Sequence, residues 1–221
     1  MISELLAAEA RARELFAECV RRSMIVPGKT ERELSNDVFA LANEMFGVDT
    51  YWHKRIVRAG RNTLLAYAAN PPDHTLTEDD ILYFDFGPVF DDWEADLGLT
   101  FVLGEDPKKH KLAADVATAW DEAAAHFREH PELTAAELYR FCGTLAQRMG
   151  WELGHIHCGH LVGKFPHERD EGDDDCHYIR ADNDLPLRRT GVFGTPLQWI
   201  LEIHFVDRAA GFGGFQESLL L

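Results

Sequence analysis

The chain has 221 residues, of which 46% are hydrophobic and 11% aromatic, and its formal net charge is −16. Such a composition supports an ordinary globular core and excludes a disordered chain. The negative balance argues against nucleic acid and anionic membrane as partners, since both demand a basic face, and it attracts a cationic end such as a free α-amino group.

Residues 2–22 place Leu5, Ala8, Ala12, Leu15, Phe16 and Cys19 at steps of three and four, which predicts one face of a helix. This opening is charged and amphipathic and does not read as a secretory signal. Thr30-Glu31-Arg32-Glu33 reads as a capping box, in which the Thr oxygen takes the N3 amide and the Glu reaches back. It opens a second helix to about Met45. Residues 81–86 and 96–103 are short, β-rich and separated by a Gly/Pro/Asp stretch, hence a hairpin. A third helix runs from about Lys108 to His130, and Thr134-Ala135-Ala136-Glu137 opens a fourth to about Met149. Residues 170–184, DEGDDDCHYIRADND, form an acidic loop: a solvated surface segment, or a rim that favours positively charged amino termini. Ile200–Val206 and Phe215–Leu221 read as strands around a Gly-rich turn at Gly211–Gly214. No run of about 18 apolar residues is present to span a membrane. Cys19, Cys142, Cys158 and Cys176 form no CxxC pair and read as reduced thiols of a cytoplasmic protein.

Thr30, Glu33, Leu34, Met45 and His53 recur 104 residues on as Thr134, Glu137, Leu138, Met149 and His157. A unit of helix, helix and strand, present twice, predicts a single domain over 1–221 with pseudo-symmetric halves of about 1–104 and 105–221.

Asp85 sits between Phe84 and Phe86, and Glu202 lies inside the apolar run Ile200–Phe205. A carboxylate in such a strand is expensive unless paired or bound to metal. Asp85, Asp96, His160, Glu202 and Glu217 together read as the ligand set of a two-metal hydrolase. Four carboxylates and one imidazole suit two divalent ions, Mn²⁺ first, with Co²⁺, Fe²⁺ or Zn²⁺ as alternatives. Strand alternation puts Glu202 and His204 on one face, and Asp96, Gly98 and Thr100 on another. His155 and His157 share a face of a possible strand. A zinc site built from these histidines and His160 is the competing arrangement, without any HExxH helix or Cys pair to support it.

NTLLAYAANPPDHTLTEDDILYFDFG, then DLGLTF, CGHLVGKFPHE, LEIHF and FQESLLL occur in that order. These segments resemble the pita-bread metallopeptidases: methionine aminopeptidase, Xaa-Pro aminopeptidase and prolidase, with creatinase as a metal-free cousin. The resemblance covers about 1–221, the catalytic domain, and implies an α+β fold with a curved antiparallel sheet covered by helices. It implies that Asp85 chelates one ion, His160 and Glu202 hold the other, and Asp96 and Glu217 bridge both. Glu202 would shuttle protons while a hydroxide bridging the ions attacks the scissile amide. His167, followed by Glu168, would hydrogen-bond the substrate carbonyl or the tetrahedral intermediate. Thr100 would orient a ligand carboxylate.

Three departures stand out. Tyr67 occupies the place of a substrate-binding histidine eighteen residues before Asp85. Ile203-His204 replaces the usual Pro-Gly after Glu202, so His204 is a candidate to take over the missing histidine's role. The extra N-terminal domain of prolidases and Xaa-Pro aminopeptidases is expected to be absent, leaving a homodimer open.

The reading is a metal-dependent exopeptidase acting on a small peptide, of Xaa-Pro type. Methionine aminopeptidase, a non-peptide amide hydrolase of the same fold and a catalytically silent peptide- or protein-binding module are the alternatives.

Overall fold

The computed structural model describes residues 2–167, 174–192 and 194–221. Among these are four helices: α1 (Ile2–Arg21), α2 (Glu31–Phe46), α3 (Pro107–Glu129) and α4 (Ala135–Met149). The ten strands are β1 (Ile56–Ala59), β2 (Ile81–Phe86), β3 (Val89–Phe90), β4 (Trp93–Glu94), β5 (Leu97–Val102), β6 (Glu152–Leu153), β7 (His157–Leu161), β8 (Tyr178–Arg180), β9 (Trp199–Asp207) and β10 (Phe212–Leu220).

The helix starts are written locally. Thr30 and Thr134 each accept a hydrogen bond from the N3 amide, and Glu33 and Glu137 each reach back to the cap, so both capping boxes form. Gly47 and Gly150 end the same helices in the left-handed conformation.

The large sheet runs β1-β2-β5-β10-β9-β7-β8, with β6 pairing β9, and its neighbours are antiparallel. From its centre the order reads alike in both directions: β5, β2, β1 on one side and β10, β9, β7 on the other. Alternation explains the layering. Phe84 and Phe86 of β2 meet Phe16 of α1 edge-on, at ring distances of 5.3 and 5.8 Å. Leu201, Ile203 and Phe205 of β9 join a core with Leu112, Val116 and Leu138 from α3 and α4. The intervening residues, Asp85 and Glu202 among them, face the other way. The α+β, helix-covered antiparallel sheet is the architecture expected of the pita-bread proteins.

Two boundaries differ from expectation. Gly213 and Gly214 belong to β10 rather than to the turn, which is shorter, because they pair with Val206 and Phe205 beneath Thr63 and Leu112. Within 170–184, residues 170–173 lie outside the described residues, but Tyr178–Arg180 is a strand rather than loop. It pairs with β7 and buries Ile179 completely, which an acidic average conceals.

Candidate metal centre

The register builds the site. Asp85 on β2 pairs with Gly98 on β5, Gly98 with Glu217 on β10, and Glu217 with Glu202 on β9. Cross-strand partners share a face, so three carboxylates project from one row across four strands. Gly98 is the gap in that row. A Cβ there would lie 2.5 Å from the Phe215 ring and 2.9 Å from Glu217 Cβ. Asp96 enters from the residue before β5, and His160 from β7. All five predicted residues line one cavity of about 290 Å³.

The four carboxylates are buried: Asp85 is 8% exposed, Glu202 7%, and Asp96 and Glu217 2% each. None pairs with Lys or Arg among the described residues; imidazoles face them instead. His160 Nδ1 donates to the Leu161 carbonyl at 2.9 Å, which turns Nε2 toward Asp96 Oδ2 at 3.2 Å and Glu217 Oε1 at 3.7 Å. His53 Nε2 lies 3.1 Å from Asp96 Oδ1. His157 Nδ1 stands 2.6 Å from Glu202 Oε1. Glu217 Oε2 is buried and accepts no hydrogen bond.

The charges are correspondingly divided. Burial pushes Asp85 up to about 7, with His53 opposing and the Asp96 and Glu202 charges adding to the rise. Burial and the neighbouring Asp96 and Asp85 charges raise Glu217 well above the usual carboxylate range. Burial would raise Asp96 too, but His53 and His160 override it and hold it at about 2. Burial would lower His160, and the neighbouring Asp96 and Glu217 carboxylates reverse that, raising it well above the ordinary value. An excess of buried negative charge, an orphaned carboxylate oxygen and a tautomer-fixed imidazole are together what a site for divalent cations requires.

The other predicted residues are placed variously. His167 lines the cavity, and Glu94 holds it: the carboxylate accepts from the His167 backbone amide at 3.0 Å and from Nδ1 at 2.9 Å. Glu168 lies outside the described residues. Tyr67 is at the rim, 43% exposed, its hydroxyl accepting from the Lys54 amide at 3.3 Å with the Lys54 ammonium 4.4 Å from its ring centroid.

His204 is not among the cavity's lining residues. It is 2% exposed, and its Nε2 donates to the Thr63 carbonyl at 2.7 Å. It shares Glu202's face, but Gly154 and Thr63 cover that end of β9. Thr100 touches no ligand carboxylate in its hydrogen bonding. Its hydroxyl donates to the Phe215 carbonyl and accepts from the Phe215 amide, because β5 and β10 diverge there and the side chain spans the gap. The histidines of the competing zinc arrangement also part: His155 and His157 group with Glu202, whereas His160 groups with Asp96 and Glu217.

Sequence reasoning missed Trp52 and Glu94 as site residues. It assigned no role to His53, although the 104-residue offset matches it to His157, a signal that it belongs to the site.

The chain matches the metallopeptidase family M24 over residues 3–201. The chain belongs to this family. It is 27% identical over 154 residues to the Xaa-Pro dipeptidase of Lactobacillus helveticus, covering 69% of this chain and 41% of that protein. The X-Pro aminopeptidase of Thermotoga maritima superposes with a TM-score of 0.77 at 21% identity, over 98% of this chain and 56% of that one. The methionine aminopeptidase of Thermotoga maritima gives 0.67 at 17% identity, over 98% of this chain and 92% of that one. The chain thus spans about half the length of the Xaa-Pro relatives it matches. Likeness at these identities fixes the M24 fold. No described helix is long and apolar enough to cross a membrane.

Proposed function

We propose that the chain is a dinuclear-metal-dependent exopeptidase that hydrolyses the N-terminal peptide bond of a peptide or dipeptide, of Xaa-Pro type. The observation that carries this reading is the convergence of Asp85, Asp96, His160, Glu202 and Glu217 on one cavity without a Lys or Arg counter-charge among the described residues. Family membership and the names of the relatives support the peptidase activity. The reading takes 1–221 as one catalytic domain with pseudo-symmetric halves of about 1–104 and 105–221. The like-sided sheet order and the two capping boxes favour that division. Mn²⁺ is the first candidate ion, ahead of Co²⁺, Fe²⁺ and Zn²⁺. The cytoplasm is the proposed compartment, consistent with four free cysteines, three of them buried.

Two divalent ions bound by these five residues would activate water at neutral pH and polarise a carbonyl. The remaining work falls to the chain. Glu202 carries the proton from the attacking water to the leaving amine, its carboxylate kept ionised by His157. His167, oriented by Glu94 through Nδ1, turns Nε2 toward the oxygen that gains charge. Tyr67 and Trp52 line the cavity and would contact the end group of the substrate.

The test is amine release from Ala-Pro, Ala-Pro-Ala, Met-Ala-Ser and a non-proline dipeptide, each with Mn²⁺ and with a chelator. Chelator-sensitive cleavage of the proline peptides is expected. Preference for Met-Ala-Ser moves the assignment to a methionine aminopeptidase. No turnover on the panel rejects the peptidase reading in favour of a non-peptide amide or a binding role.

A further inference from the structure

Beyond the five predicted residues, one side chain addresses the same carboxylates in the manner of a ligand. His53 precedes β1, and its Nε2 lies 3.1 Å from Asp96 Oδ1 and 3.5 Å from Asp85 Oδ1. Its Nδ1 is 2.8 Å from the Lys54 carbonyl oxygen. A carbonyl only accepts, so Nδ1 carries a proton and Nε2 is the ring atom that faces the two carboxylates, there to hold a proton or, in its place, a cation. Three acceptor atoms converging in a buried space need a proton or a cation among them.

His160 repeats this geometry on the other side of Asp96. Its Nδ1 also donates to the carbonyl of the next residue, and its Nε2 faces Asp96 Oδ2 at 3.2 Å. Asp96 therefore has one imidazole nitrogen at each carboxylate oxygen, both rings turned by the same Nδ1 contact. The His53 ring is firmly held, with its side chain 8% exposed. Trp52 packs edge-on at 4.4 Å and is itself anchored by its indole N–H on the Ala95 carbonyl at 2.9 Å. Gly87 provides the room, because a Cβ there would run into both the His53 and the Trp52 rings.

We propose that His53 is a sixth metal ligand, its Nε2 completing with Asp85 and Asp96 the ion position opposite His160, so that each ion of the pair has one imidazole. This rests on the dinuclear reading above and goes beyond its five-residue set. A nitrogen donor at that position favours Co²⁺ or Zn²⁺ there over Mn²⁺, which suits oxygen-only sites.

The test is Co²⁺ titration of the metal-free protein, followed by calorimetry and visible absorption, for wild type and His53→Ala. Wild type is expected to bind two ions. The variant should bind one ion as before and the other at least about 10- to 100-fold more weakly, with that ion's absorption band altered and free imidazole restoring both. Two ions bound by the variant with unchanged affinities and bands would overturn the assignment. Fewer than two ions in wild type would instead overturn the dinuclear reading itself, and this assignment with it. If His53→Ala does not fold, His53→Gln serves in its place. X-ray absorption at the cobalt edge of the wild type gives a variant-free count: at least one imidazole per cobalt is expected, and half an imidazole per cobalt refutes the proposal.

Discussion

His157 Nδ1 and Glu202 Oε1, 2.6 Å apart, make the closest imidazole–carboxylate approach in the cavity among the described residues. Burial alone would raise the Glu202 carboxyl, and the close approach of His157 overrides it, holding the acid at about 2. Removing the imidazole leaves burial unopposed by its largest counterweight. In His157→Ala the acid limb of the kcat/KM profile should move up by on the order of one pH unit, while the alkaline limb stays. A pH–rate series on the preferred peptide checks this, and an unmoved acid limb rejects the pairing as functional.

The metal-free protein should lose stability as pH rises from about 6.5 to 9. In that window His53, raised to about 9 by Asp96 and Asp85 against its burial, holds a proton that the unfolded chain has released, and Asp85, raised to about 7 by burial, does so at the lower end of the window. His160, raised by its carboxylate partners, acts in the same direction. With more protons bound in the native state, stability falls with pH. Below about 6.5 the buried His204, depressed to about 3 by burial and His155, works the opposite way, so the effect is clean only above that point. Thermal unfolding of metal-free and loaded protein across the window is the measurement. The gain from metal should widen with pH by on the order of a few kcal/mol.

Gly98→Ala should damage the site without touching a ligand. The added Cβ meets the Phe215 ring and Glu217 Cβ, so the β5 and β10 backbones or the Phe215 rotamer must shift. Overpacking of this kind costs about 1–3 kcal/mol. Chemical denaturation should show that loss, and dialysis against metal should show reduced occupancy. Wild-type occupancy would mean that the row of carboxylates tolerates displacement.

Glu94 and His167 make a separable pair. His167→Ala should lower kcat by about 10²- to 10³-fold with metal content unchanged. Glu94→Gln keeps the shape but weakens the hydrogen bonds that orient the His167 ring, so it should fall between wild type and His167→Ala. Metal analysis run beside the kinetics decides the matter: ions lost from either variant would make the pair part of the metal centre instead.

Both helix starts were legible because a capping box is a local device, and Thr30 and Thr134 carry it within four residues. Asp85 and Glu202 were legible because an acid inside an apolar strand conflicts with its own surroundings. His53 was not, since its meeting with Asp96 spans a turn, a strand pair and a crossing of the sheet that no local pattern encodes. His204 misled for a related reason. Alternation specifies a face of β9 correctly, but not how far the cavity extends along it, and Thr63 arrives from 141 residues away to close that end. Gly213 and Gly214 read as a turn by residue type, whereas their place is set by the bulk of Leu112 and Thr63 above the strand.

At the seam between β5 and β10, one register pair joins Gly98 to Glu217, and the Thr100 hydroxyl ties to the Phe215 backbone across 115 residues. Contacts so distant along the chain form only after large loops have closed, and they make folding slow. A nascent chain therefore cannot assemble the full carboxylate row until residue 217 has been made and the second strand pair has docked on the first. Any ion that Asp85 and Asp96 attract before then is held by half a site, and exchanges freely until the seam closes.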